Sequence, residues 1–102
     1  MVKVNVLGTE YEIVYTEEKN NEADGYINYE EKKISLMDLS HHGENKEAVI
    51  NRVIRHELIH AFLRESGLDC NSEWAQNEEI VDWIALQFPK MAKVFDELEL
   101  MK

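Results

Sequence analysis

The stretch from Lys46 to Ser66 constrains this chain more than any other, because an apolar pattern of helical period runs through it without a break. Ile50, Val53, Ile54, Leu58 and Ala61 recur three and four residues apart, so the segment reads as one helix with a broad apolar side that the rest of the fold must cover. Arg52 and Arg55 fall on a narrow polar strip. Gly67 supplies the left-handed position that ends such a helix, and Asn45 stands where a cap would begin it.

Inside the helix lies His56-Glu57-Leu58-Ile59-His60. Residues four apart share a face, so His56 and His60 flank the apolar arc and offer two imidazoles to one point at the edge of the core. That geometry suits a zinc ion. Glu57 is turned about one hundred degrees from His56, where its carboxylate can reach a water at the metal without ligating the metal itself. It is the candidate general base. A hydrolytic zinc site needs three protein ligands and one open position, and two histidines with an acid are one known set. Downstream, Asn77-Glu78-Glu79-Ile80-Val81-Asp82 sits in a second helical pattern. Glu78 can supply the third ligand, with Glu79 competing for the role if the register shifts by one residue. Asp82, one turn on, can hold a ligand imidazole by its other nitrogen or pair with an arginine such as Arg64.

In these two blocks, in order and spacing, the chain resembles the gluzincin metallopeptidases, the clan of thermolysin. At this size it resembles a minigluzincin, related to the ImmA/IrrE-type and phage-associated small zincins. The motif resemblance spans roughly Lys46 to Pro89, and the strands before it fit in pattern only. It implies a zinc peptidase with His56, His60 and Glu78 as ligands, Glu57 as general base and Asp82 supporting a ligand histidine. It also implies that an extended substrate pairs with the free edge of the strand nearest the zinc helix, for which Lys33 to Met37 or the preceding strand is the candidate. A regulatory protein is the substrate class that the relatives suggest.

Before the helix, Val2, Val4 and Val6 alternate with polar residues, Gly8-Thr9 interrupts, and Tyr11, Ile13 and Tyr15 resume the alternation. This predicts a hairpin. Thr16 to Asp24 reads as an exposed loop, and Gly25 to Met37 as a second hairpin with Ile34 and Leu36 on one face. After the helix, Leu68 to Asn71 reads as a short link, Ser72 as a cap, and Trp74, Val81, Ile84, Ala85 and Phe88 as a helix face with Trp74 and Trp83 as core anchors. Pro89 is expected to break this helix or to start a shorter one carrying Met91, Val94, Phe95 and Leu98. The expected fold is α+β over residues 1–102 as a single domain: a small, mostly antiparallel sheet of three or four strands packed on the zinc helix, then a glutamate helix and a short C-terminal helix.

Twenty-one acidic against eleven basic residues give a net charge of −10, with the basic residues scattered. Such a field disfavours nucleic acid as a partner and otherwise serves mainly to keep a small protein soluble; a protein or peptide substrate is what the resemblance implies. The single cysteine, Cys70, cannot form an internal disulfide, and neither a secretory signal nor a bilayer-length apolar run stands out, so a cytoplasmic setting is expected. Cys70 reads as a free thiol, with metal ligation in a latent state as the alternative. Tyr26, Tyr29, His41 and His42 are the groups available to stabilise an oxyanion. The rival to an enzyme is a non-catalytic module of the same fold that grips a partner by its sheet edge.

Overall fold

We describe residues 2–16, 24–38 and 40–102 of a computed structural model of the chain, leaving aside the side chains of residues 40–42. Four strands, β1 (Val2–Val6), β2 (Thr9–Tyr15), β3 (Gly25–Asn28) and β4 (Lys33–Leu36), precede three helices, α1 (Lys46–Glu65), α2 (Leu68–Asn71) and α3 (Glu78–Glu97). The architecture is α+β, one sheet with α1 against it. The sheet order is β1-β2-β4-β3. Both hairpins form as the alternation predicts, β1 with β2 and β3 with β4, each antiparallel. The hairpins join through a parallel β2–β4 pair, so the sheet is mixed rather than purely antiparallel. Alternation cannot reveal this, since a parallel neighbour needs a crossover whose path is not written in either strand. One consequence bears on function: β4 is paired on both sides, which removes it as a free edge and leaves β3 as the outer strand.

The core is Val6, Tyr11, Ile13, Ile34 and Leu36 from the sheet against Val53 and Ala61 of α1, with Ile50, Ile54 and Leu58 packed around them. Two features fix α1 on the sheet. At its C-terminal end Glu65 accepts hydrogen bonds from Thr9 Oγ1 at 2.7 Å, Tyr11 Oη at 2.7 Å and Lys32 Nζ at 3.3 Å. Beside its middle, Gly25 lets the edge strand come close, because a Cβ there would lie 2.7 Å from Val53 Cγ1 and 3.1 Å from the Ser35 carbonyl oxygen. The helix ends as expected, at Gly67 with φ of 87°. Asn45, however, makes no side-chain cap.

Several expectations after α1 are corrected. The link forms a one-turn α2 and a 3-10 turn at Glu73–Gln76, and the cap of α3 is Asn77, whose side chain accepts from the Ile80 amide, rather than Ser72. Trp74 and Trp83 are not core anchors, being 46% and 57% exposed. Nor is there a separate C-terminal helix: α3 runs through Pro89 to Glu97. Proline cannot donate to the carbonyl four residues back, that of Ala85. Arg55 Nε does so instead, at 2.7 Å, so the acceptor that Pro89 abandons is satisfied from α1. No described helix is long and apolar enough to cross a membrane.

Gly25→Ala is expected to lower stability by about 1–3 kcal/mol through overpacking against Val53, read by urea unfolding. Glu65 gives a pH signature. The hydrogen bonds from Thr9 and Tyr11 lead in holding its carboxyl below the ordinary glutamate range, against the opposing effect of burial. A depressed folded-state pKa contributes stability above the unfolded value and loses it as pH falls through the folded one. Glu65→Gln should therefore be less stable than the parent at neutral pH, with the gap narrowing below about pH 4 in acid unfolding curves.

Candidate metal centre

α1 and α3 pack against each other. Val81 and Ala85, fully buried, are the side chains that seat α3, and their modest size lets the helices approach. Because Asn77 caps α3, Glu78 is its first residue, in a turn whose free amides favour a carboxylate. From there Glu78 Oε2 lies 2.8 Å from His56 Nε2, and Oε1 lies 2.9 Å from His60 Nε2. The two rings are 4.9 Å apart between centroids and inclined at 65°. Asp82 approaches from the same helix, its Oδ1 3.4 Å from His56 Nδ1.

His56, His60 and Glu78 each offer one ligand atom, and all three atoms lie within 4.8 Å of one another, a set that could hold a metal ion. The chemistry of the set, two imidazole nitrogens and one carboxylate oxygen, is one that zinc accepts. His56 has a carboxylate at each ring nitrogen, Glu78 at Nε2 and Asp82 at Nδ1. Burial would raise the Glu78 carboxyl, but hydrogen bonds and charge from His56 and His60 outweigh it and hold the group below its ordinary range. At 72% side-chain exposure, Glu78 has freedom to adjust its reach.

Glu57, in contrast, is buried, at 7% exposure. Burial pushes its carboxyl above the usual range, partly offset by the neighbouring imidazoles and reinforced by Glu78. A raised carboxyl beside two candidate ligands is a group suited to taking and returning a proton. Glu57 lines a cleft of about 220 Å³ together with Gly25, Val53, His56, Glu78 and Asp82.

A second cleft, of about 310 Å³, opens on the other side of Glu78 and is lined by Tyr29, His60, Arg64, Asp69 and Gln76. Tyr29 is therefore the one of the four oxyanion candidates that lines a cleft shared with Glu78, whereas Tyr26 is 45% exposed on β3 and the side chains of His41 and His42 lie outside the described residues. The Tyr29 ring carries Arg64 over its face, the guanidinium carbon 4.8 Å from the centroid. Burial and the negative charges of Asp69, Glu57 and Glu78 push its hydroxyl up to about 12, so it keeps its proton at neutral pH.

Among the other expected residues, Arg64 pairs with Asp69 at 3.1 Å rather than with Asp82. Glu79 is exposed, and of the two adjacent acids it is Glu78 that reaches both imidazoles. Cys70 is a free, exposed thiol outside the cluster. The sequence reading missed two contributors. Gly25 lines the first cleft, and its signal is a glycine opening a strand. Arg55 ties α1 to α3, which its position on a polar strip did not disclose.

No protein-family model, curated protein or solved structure matches this chain.

Zinc titration of the protein, followed by elemental analysis after dialysis, should give close to one ion per chain. His60→Ala and Glu78→Ala should lose it and Glu79→Gln should keep it. Asp82→Asn should weaken affinity by about 10–100-fold, the usual cost of removing a group that orients a ligand histidine.

Proposed function

We propose that this chain is a zinc-dependent endopeptidase of the minigluzincin type. The observation that carries the reading is the approach of Glu78 to both His56 and His60 with the buried Glu57 beside them. When bound by these three side chains, zinc supplies Lewis-acid chemistry, acidifying a water and polarising a peptide carbonyl. Glu57 accepts the proton of the attacking water and delivers it to the leaving nitrogen, one carboxylate serving both transfers. Asp82 orients the His56 ring through Nδ1. Tyr29, protonated and lining the same cleft as His60 and Glu78, donates a hydrogen bond to the developing oxyanion.

The edge strand supports a peptide as substrate. Gly25, at the start of β3, lines the cleft on the His56 side, and Tyr29, just past its end, lines the cleft on the His60 side. β3 thus runs from one cleft to the other with its outer edge unpaired among the described residues. A peptide hydrogen-bonded to that edge lies extended across the candidate ligands. By resemblance the peptidase is cytoplasmic and phage-associated, and a regulatory protein is the substrate class this reading favours. The rival reading, a non-catalytic module gripping a partner by the same edge, rests on that edge alone.

Glu57→Gln separates the two. For a peptidase it should retain zinc and lower cleavage of an unstructured protein by about 10²–10⁴-fold, assayed by mass spectrometry of the fragments, whereas a pure binding module shows no cleavage to lose. Tyr29→Phe should lower kcat by about 10²–10³-fold with KM little changed, as expected on removal of an oxyanion donor.

A further inference from the structure

α3 buries little of its apolar surface. Val81 and Ala85 face the body of the protein, but Phe88, Val94 and Leu98 are 51%, 51% and 64% exposed, with Trp83, Met91 and Phe95 also exposed. By helical geometry these six fall within one arc, leaving on the order of 600 Å² of apolar side chain in water, at the upper limit for a monomer's largest patch. Leu100 and Met101, exposed just beyond the helix, bring the total near the roughly 800 Å² that each partner of a stable interface buries.

We propose that α3 pairs antiparallel, about a twofold axis, with α3 of a second copy of this chain. The centre of the stripe, from Phe88 to Phe95, is self-complementary in its spacing. With the axis between Ala92 and Lys93, Met91 of one copy meets Val94 of the other in the central layer. Phe88 then lies opposite Phe95 on one flank, and Lys90 lies opposite Glu97 on the other, each pair occurring twice by symmetry. A parallel pairing would set each Lys90 beside an apolar Phe95. Charge complementarity therefore selects both the orientation and the partner, since the helix offers its own cation to its own anion. Glu78 and Asp82 project from the opposite side of α3, so both clefts stay open in the pair. The pairing does not depend on the metal reading.

Sedimentation velocity of the full chain decides the matter. The parent, of 12.0 kDa, should sediment as a species of about twice that mass at concentrations around 100 µM. Val94→Glu should sediment as a monomer while keeping its far-UV circular dichroism. Lys90→Glu, which sets acid against acid, should weaken association by at least about tenfold, and Lys90→Glu combined with Glu97→Lys should restore it. A parent that stays monomeric at this concentration overturns the proposal, as does a dimer indifferent to Val94→Glu. Should Val94→Glu fail to fold, the charge exchange decides: a double variant no tighter than the single one rejects the antiparallel pairing.

Discussion

The contact between α1 and α3 underlies everything at the candidate centre. Glu78 reaches the two imidazoles because Val81 and Ala85 seat α3 closely, and because Arg55 Nε takes the Ala85 carbonyl that Pro89 leaves without a donor. One hydrogen bond thus does two things: it lets a proline sit in mid-helix, and it ties the helix carrying the acid to the helix carrying the histidines. α3 has little other purchase on the protein, since most of its remaining apolar side chains face water.

A similar economy holds α1 to the sheet. Glu65 gathers Thr9, Tyr11 and Lys32 at one end, and Gly25 allows the edge strand to close on Val53 beside the cleft. These contacts set β3 alongside the candidate ligands, and from that placement comes the reading of the outer strand as a track for an extended peptide. The same packing sets two carboxyls of the cluster apart. Glu57, buried, is pushed up, while Glu78, exposed and facing both imidazoles, is held down. Carboxyls driven in opposite directions within one site suit separate roles, proton carrier and ligand.

Much of this was legible in the chain itself. The two hairpins follow from alternation, α1 from its apolar period, and the candidate residues from the spacing of His56, Glu57 and His60 and the later block at Glu78 and Asp82. Elsewhere local rules were overridden by distant partners. Pro89 looked like a helix break because its remedy, Arg55, lies far back in the sequence. Trp74 and Trp83 looked like anchors because large aromatic side chains usually are buried, yet Trp74 stands exposed on the 3-10 turn and Trp83 on the outer side of α3.

What the sequence determined alone was the set of local choices: which segments are strands, where α1 begins and ends, and which side chains share a helix face. Periodicity and the left-handed turn at Gly67 are properties of neighbouring residues, so they can be read without coordinates. Only the tertiary structure decided that β4 lies between β2 and β3, that Tyr29 rather than Tyr26 lines the cleft by His60, and that Glu78 closes on both imidazoles. Each of these depends on how separate elements cross, and crossing is set by packed volume and shared hydrogen bonds, which no single segment encodes.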